Sequence, residues 1–163
     1  MCQRSLPSKM IEYLITEAML ALAKENSREM GTLKNSITSG DGNIAGFLGE
    51  LIALDILGAS RKNTYDYDLV LSTGKTVDVK TKRTKYRPLL SYDCSVAGFN
   101  TKQKCDYYCF VRIKDDFTVG WYLGLIPKDE YFNKAVFLKK GDFDSSNKYT
   151  VKADCYNLKI EQL

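Results

Sequence analysis

The segment DLVLSTGKTVDVKTK, residues Asp68–Lys82, constrains the fold more than any other part of the chain. Polar and β-branched residues alternate strictly over residues 76–82, and a period of two with β-branched residues predicts a strand. The glycine-containing turn at 72–75 joins this strand to a shorter one at 68–71, so the segment predicts a β-hairpin. One face of the second strand carries Asp78, Lys80 and Lys82.

A helix is predicted just before this hairpin, from about Asn43 to Leu57, and Gly58 is a usual residue for ending it. Its apolar side chains surround most of the circumference, so the helix is expected to be largely buried. Small residues form a stripe along it at which another backbone can approach closely: Ala45, Gly46, Gly49 and Ala53. Glu50 lies at the edge of that stripe, and a buried carboxylate needs a lysine, an arginine or a cation as partner.

Helix and hairpin together bring acidic side chains to one place. Asp68 opens the first hairpin strand, and residues that face each other across a strand pair have Cβ atoms about 5 Å apart. Asp68 is therefore expected near Asp78 and Lys80, and the helix packed on this sheet can add Glu50. Three carboxylates beside a lysine are typical of a divalent-cation site with a charge-stabilising group next to it.

Composition narrows the chemistry. The chain of 163 residues has no histidine, which excludes Ser-His-Asp and Cys-His catalysis and histidine-based metalloproteases. Its length and 44% apolar content predict one globular domain. The sequence has no apolar run of the kind that predicts a membrane span or a secretory signal. The five cysteines form no C-x-x-C pair, which favours a reduced, cytoplasmic setting.

The residues Glu50 in GFLGELIALDILG, Asp68 in YDYDLVL, and Asp78 and Lys80 in VDVKTK resemble the signature of the PD-(D/E)XK nuclease superfamily. The likeness is to the small nucleases common in phage genomes, and it covers about residues 43–113. It implies an α/β (α+β) fold of restriction-endonuclease type, in which an αβββαβ core forms a central mixed sheet flanked by helices. Tyrosine precedes Asp68 where the family pattern has proline.

This resemblance implies a DNA endonuclease that hydrolyses phosphodiester bonds with Mg²⁺ or Mn²⁺. Asp68 and Asp78 are expected to be inner metal ligands with the Val79 carbonyl as a third, and Glu50 to bind through water or at a second metal. Lys80 is expected beside the attacking water and the scissile phosphate. An intracellular, phage-encoded enzyme acting in the host cytoplasm would fit this function.

A basic row follows the predicted site. The eight residues KTKRTKYR, 80–87, contain five cations and no acid. Four of them are expected to contact the DNA backbone, which gives affinity but little sequence choice: Lys82, Arg83, Lys85 and Arg87. Homodimer formation is an open alternative, because one site cuts one strand. Two rival interpretations remain, a non-catalytic nucleic-acid-binding protein that retains the nuclease fold and a structural protein whose acids pair with Lys80.

Several assignments stay open from the sequence alone. Asp66 has the same strand parity as Asp68 and is the alternative ligand, whereas Asp55 lies about 140° around the helix from Glu50. Gln103 and Tyr107 match a Q-x-x-x-Y pattern found in some exonuclease branches of the superfamily, but a loop and a strand explain them as well. Zinc binding is an alternative to four buried thiols for Cys94, Cys105, Cys109 and Cys155.

Around the hairpin, the predicted domain has three parts. Residues 1–42 comprise an amphipathic helix within SKMIEYLITEAMLALAKE and a loop at 31–42, residues 43–113 the catalytic core, and residues 114–163 further strands and a short helix. That helix is predicted to start at Pro127, since proline fits a first helical turn. Later strands are predicted at 91–96, 106–113, 118–126 and near 149–151.

Overall fold

The computed structural model describes residues 10–31, 41–62 and 64–163. The described residues form three α-helices: α1 (Glu17–Gly31), α2 (Asp41–Leu57) and α3 (Lys128–Lys134). They also form eleven strands: β1 (Ile11–Leu14), β2 (Ser60–Arg61), β3 (Leu69–Val70), β4 (Thr76–Thr84), β5 (Asp93–Ala97), β6 (Tyr107–Lys114), β7 (Val119–Pro127), β8 (Val136–Leu138), β9 (Phe143–Asp144), β10 (Tyr149–Thr150) and β11 (Cys155–Lys159). Short 3₁₀ helices occupy Gly98–Lys102 and Ile160–Gln162.

Six strands form the main sheet in the order β1-β7-β6-β4-β3-β2. The central pair β4 and β6 is parallel, and the other neighbours are antiparallel, so the sheet is mixed. A parallel pair requires a crossover connection, which here runs through β5 and the 3₁₀ helix at Gly98–Lys102. The predicted hairpin is confirmed as β3 and β4, and the mixed α+β architecture is confirmed with it.

Two apolar layers cover this sheet. On one face, α2 packs over β4, β6 and β7 around buried Leu48, Ile52 and Val77, and α1 packs against α2. On the other face, α3 and a second sheet of order β5-β11-β8 cover Tyr108 and Phe110. Because side chains alternate along a strand, β4 contributes Val77 and Val79 to the first layer and directs Asp78 and Lys80 toward the second.

Helix α2 confirms the predicted buried helix, although it starts at Asp41 rather than Asn43. Leu48, Ile52 and Ala53 are fully buried, as expected for a helix that is apolar around most of its surface. The helix ends where Gly58 adopts a φ of 60°, the left-handed conformation that glycine accepts without a Cβ clash.

Gly49 allows α2 to lie directly against β4. A Cβ atom at Gly49 would overlap the Thr81 hydroxyl and stand 2.9 Å from its Cγ2 atom, whereas a Cβ atom at Gly46 would meet nothing within 4 Å. We expect Gly49→Ala to lower the free energy of unfolding by about 1–3 kcal/mol through overpacking. Gly46→Ala is the matched control and should be neutral or stabilising, by up to about 1 kcal/mol of helix propensity. Urea denaturation of both variants tests this, and equal effects would contradict it.

The helix predicted within SKMIEYLITEAMLALAKE is wrong for the first half of that segment. Residues 11–14 form β1, the edge strand of the main sheet, which pairs with β7, and the helix begins only at Glu17. Ile11 and Tyr13 alternate with exposed Glu12 and Leu14, so this stretch suits a half-buried strand. Thr16 then caps the helix, because its Oγ1 accepts a hydrogen bond from the Met19 N–H at 3.1 Å. Gly31 and residues 41–42 are helical, and the rest of the predicted loop, 32–40, lies outside the described residues.

Later elements are largely confirmed. The predicted strands correspond to β5, β6, β7 and β10, and α3 begins at Lys128, directly after Pro127. Strands β2, β8, β9 and β11 were not predicted. The third strand of the expected core, β5, belongs to the smaller sheet, where it pairs with β11. Within the described residues, no helix is long and apolar enough to cross a membrane.

Candidate functional site

The end of the β3–β4 hairpin places Asp68 against β4. Asp68 directly precedes β3, and its backbone N–H donates to the Val77 carbonyl at 2.9 Å. Its side chain continues across the strand, where Oδ2 accepts a hydrogen bond from the Val79 N–H at 2.8 Å. This second bond holds the Asp68 carboxyl at the middle of β4, next to the Asp78–Lys80 segment.

Asp78 and Lys80 form an ion pair on the shared face of β4. Lys80 Nζ lies 2.7 Å from Asp78 Oδ2, and the Asp78 side chain is 7% exposed. The neighbouring strand β6 places Tyr108 opposite Asp78, and the Lys80 ammonium lies 5.8 Å from the centroid of the Tyr108 ring. The predicted pairing of acid and base on one strand face is therefore present in the structure.

Glu50 reaches the same region from α2. Its Oε2 atom lies 3.4 Å from Arg61 Nη2, and the Arg61 guanidinium also stands 5.0 Å from the centroid of the Phe47 ring. Arg61 belongs to the short strand β2, which begins soon after α2 ends. The buried helix acid thus has an arginine partner, one of the three kinds of partner expected from the sequence.

Asp68 stands between the other two carboxyl groups. Burial, followed by the charges of Glu50 and Asp78, raises the pKa of Asp68 to about 8. Burial also raises the pKa of Glu50, although the charge of Arg61 and a hydrogen bond with Asp68 oppose that increase. Without a cation, Asp68 therefore carries a proton at neutral pH, and this proton reduces the repulsion among the three acids.

The ligand atoms that the three acids offer suit a hard divalent cation. Glu50, Asp68 and Asp78, here called the carboxylate cluster, offer only oxygen, which Mg²⁺ prefers. Glu50 Oε2 and Asp78 Oδ2 are buried and accept no hydrogen bond of normal geometry, although each lies beside a cationic side chain. Among the described residues, no group of three or more His, Cys, Asp or Glu side chains has the arrangement of a metal site. Because Lys80 and Arg61 already lie beside two of these carboxylate oxygens, a cation would compete with both side chains for them.

Gln103 contacts the site, a role that its sequence pattern only suggested. Its Oε1 accepts from Lys80 Nζ at 3.0 Å, its Nε2 donates to the Tyr65 carbonyl at 2.9 Å, and its own carbonyl accepts from Lys128. Gln103 is buried and fixes the position of the Lys80 ammonium. Tyr107, its partner in the Q-x-x-x-Y pattern, pairs with Val77 and packs against the α1–α2 layer instead.

The two acids considered as alternatives have other partners. Asp66 Oδ1 accepts a hydrogen bond from the Lys104 N–H at 3.0 Å. Asp55 is exposed on α2, where its Oδ2 accepts from the Tyr13 hydroxyl at 2.5 Å. The side chain that meets Glu50 and Asp78 is Asp68.

The four cations of the predicted DNA-binding row have different surroundings. Strand β4 continues to Thr84, so Lys82 shares the face of Lys80 whereas Arg83 points to the opposite face. Arg83 Nε lies 3.2 Å from Asp115, and Arg87 Nη1 lies 3.5 Å from Glu12. Lys85 is exposed beyond the strand end. Of these four cations, Lys82 lies on the same face of β4 as Lys80, so only part of the row continues the surface beside the carboxylate cluster.

Four cysteines lie within the described residues, and none forms a disulfide. Cys94 and Cys109 are buried on opposite faces of the main sheet, and Cys105 and Cys155 are half-buried. Burial is the first cause that raises the pKa of each of these thiols, so they stay protonated at neutral pH. Cys2 lies outside the described residues.

Comparison with known proteins adds no assignment to this geometry. No protein-family model matches the chain, and a search of curated proteins gave no match.

Proposed function

We propose that this chain is a divalent-cation-dependent deoxyribonuclease, which hydrolyses DNA phosphodiester bonds at the carboxylate cluster. The observation that supports it best is the meeting of Glu50, Asp68 and Asp78 beside Lys80, with a buried oxygen of Glu50 and of Asp78 that each lie beside a cationic side chain. Nuclease chemistry uses this combination, because phosphate hydrolysis requires positive charge near the phosphate and an activated water. The proposal keeps the αβββαβ chain order of the nuclease core only with two changes, namely that β5 joins the smaller sheet and that a 3₁₀ helix at Gly98–Lys102 stands in place of the second helix.

Asp68 and Asp78 would hold Mg²⁺ or Mn²⁺ directly, with the Val79 carbonyl as a further ligand and Glu50 through water or at a second cation. When bound, the cation supplies charge against the phosphate and lowers the pKa of a coordinated water. Asp68 must lose its proton for this, so metal binding is expected to release protons near neutral pH.

Lys80 would orient the attacking water and stabilise the charge that develops on the phosphate. An ammonium group has three donors, and Asp78 and Gln103 together take at most two of them. The remaining donor can contact a water or phosphate oxygen. Gln103 would keep the ammonium in place while this contact forms, which makes Gln103 a positioning residue.

Cleavage is expected to require Mg²⁺ or Mn²⁺, and Ca²⁺ should support DNA binding without cleavage. The reason is that Ca²⁺ neutralises the acids, but its larger and looser coordination positions the attacking water poorly. Linear, supercoiled and four-way-junction DNA should be incubated with each cation and analysed on gels. Hydrolysis that continues undiminished in excess EDTA would contradict the metal mechanism.

A non-catalytic DNA-binding protein is the second candidate, because Lys80 and Arg61 already neutralise part of the carboxylate cluster. In such a protein the acids would serve as a buried ion-pair network. Binding of DNA with no cleavage under any cation would favour this alternative, and absence of both would favour a purely structural role.

The salt dependence of DNA binding should separate the cations of the basic row. We expect Lys82→Gln combined with Lys85→Gln to reduce the log-log slope by about two, roughly one for each phosphate that the double variant no longer neutralises. Arg83→Gln should change the slope less, because Asp115 already engages this side chain on the opposite face of β4. Filter binding at several salt concentrations measures the slopes. An unchanged slope in the double variant would remove this row from the DNA interface.

A further inference from the structure

A cavity of about 480 Å³ opens beside the carboxylate cluster and is lined in part by Lys80, the ion-pair partner of Asp78. It lies between the β4–β6 face of the main sheet and the smaller sheet, and residues 149–155 contribute to one side. A second cavity of about 320 Å³ adjoins it and shares Lys82, Arg112 and Tyr149. The larger volume is within the range of about 300–1,000 Å³ that is usual for small-ligand sites.

Two cations face each other along this cavity. Lys82 on β4 is the register partner of Arg112 on β6, and like charges directly opposite each other destabilise a strand pair. Burial, followed by the charge of Arg112, lowers the pKa of Lys82. Burial lowers the pKa of Arg112 as well. The folded chain therefore maintains an unfavourable pair of charges that an anion between them would relieve.

Asp93, the acid in this cavity, offsets these charges only in part: its charge raises the pKa of Lys82 and of Arg112, but burial outweighs it in both. Asp93 Oδ2 accepts a hydrogen bond from Asn147 at 2.5 Å, and Arg112 Nη2 donates to the Asp93 backbone carbonyl at 2.8 Å rather than to its carboxylate. Lys80 and Lys152 add further positive charge to the lining. Lys80 is paired with Asp78, so three further cations, Lys82, Arg112 and Lys152, stand against the one carboxylate of Asp93, and the cavity suits an anionic ligand.

The rest of the lining is apolar and partly aromatic. Phe110 and Leu123 form the floor from the main sheet, and Tyr149, 41% exposed on β10, also lines the cavity. Such surfaces stack on the flat face of a base, while the cations suit a phosphate. The two features together match a nucleotide better than a simple anion, and a cavity of this volume has no room for a base pair with its backbones.

We propose that this cavity holds one unpaired nucleotide of the substrate, with its phosphate between Lys82 and Arg112 and its base against Phe110, Leu123 and Tyr149. This inference rests on the proposed function and specifies its substrate class, namely DNA with an unpaired nucleotide next to the cut. Extrusion of a base costs less free energy at a bulge, a junction or a frayed end, so such sites would be preferred over continuous duplex.

Binding of thymidine monophosphate, thymidine and inorganic phosphate to the full chain in EDTA tests the cavity without any cleavage. By isothermal titration, the monophosphate should bind at least about tenfold more tightly than either fragment, a difference of about 1.4 kcal/mol. Lys82→Gln and Tyr149→Ala should each weaken it at least about fivefold, and Lys82→Arg should restore most of the affinity. Lys24→Gln, the same charge change at an exposed position of α1, is the control and should bind as the wild type does.

Equal affinities for the monophosphate and inorganic phosphate would reduce the cavity to an anion site and overturn the proposal, as would the absence of saturable monophosphate binding. A cleavage arm compares duplex with a one-nucleotide bulge and fully paired duplex in Mg²⁺. Preference for the bulge that disappears in Lys82→Gln supports the proposal, and no preference contradicts it. Nucleotide binding without cleavage of either DNA would leave the cavity assigned and contradict the nuclease function instead.

Discussion

Asp78→Ala is expected to lower Mg²⁺-dependent DNA cleavage at least about 100-fold while the fold stays intact. The buried Oδ2 atom of Asp78 lies 2.7 Å from Lys80 Nζ, so the substitution removes an expected metal ligand and releases the lysine. Asp68→Ala and Lys80→Ala should have losses of similar size. Initial cleavage rates at saturating Mg²⁺, with circular dichroism to verify folding, measure the effect.

The matched controls use acids outside the carboxylate cluster. Asp129→Ala changes an exposed acid in the first turn of α3 that is not part of the cluster, and should cleave as the wild type does. Asp66→Ala removes the alternative ligand, whose carboxylate instead accepts from the Lys104 N–H, and should retain most activity. Near-wild-type cleavage by Asp78→Ala would rule out the proposed active site. A larger loss of activity in Asp66→Ala than in Asp68→Ala would assign the metal ligand to Asp66 instead of Asp68.

Asp68→Asn is expected to stabilise the metal-free protein at pH 8 and above, and to abolish its stabilisation by Mg²⁺. The pKa of this carboxyl is about 8 in the folded chain against an ordinary value of 3.8, so the folded state binds more protons between these pH values. Stability of the metal-free wild type must then fall as pH rises through this window, by up to about 1.4 kcal/mol per pH unit from this group. Below the window both states are protonated and the group has no effect.

Thermal unfolding from pH 4 to pH 9, in EDTA and in Mg²⁺, measures this dependence. Metal-free wild type should lose stability toward pH 8, Mg²⁺ should raise the melting temperature more at pH 8 than at pH 5, and Asp68→Asn should show a flatter profile. Asp55→Asn, at an exposed position of α2, is the control and should keep the slope of the wild type. A wild-type melting temperature that rises from pH 5 to pH 8 in EDTA would contradict the assigned pKa direction.

The sequence predicted those parts of the site that depend on local periodicity. Asp78 and Lys80 share a face because strands repeat every two residues, and Asp68 meets them because a short turn returns the chain antiparallel. Gln103 could not be placed in this way, since it reaches Lys80 only through the β5 crossover, 23 positions along the chain. The role of Arg61 could not be predicted either, because its contact with Glu50 depends on a strand of only two residues.

Longer-range competition explains the errors in the fold. Residues 11–14 fit both a helical and an alternating pattern, and pairing with β7, whose edge they cover, favoured the strand. Strand β5 has a regular alternating burial pattern, yet no local signal indicates whether it joins the main sheet or β11. Partner choice among strands depends on the whole chain, so a single segment does not determine it.

The close approach of α2 to β4 at Gly49 also has a genetic consequence. Glu50 follows Gly49 directly, and the helix-to-strand spacing therefore determines how far its carboxylate reaches toward Asp68. A screen for inactive variants would recover substitutions at Gly49 together with the acids themselves, although glycine has no side chain to offer to DNA or metal. Loss of activity on substitution of Gly49 would reflect the spacing between α2 and β4 rather than a catalytic side chain. A stability measurement on each variant would distinguish this cause from the loss of a catalytic group.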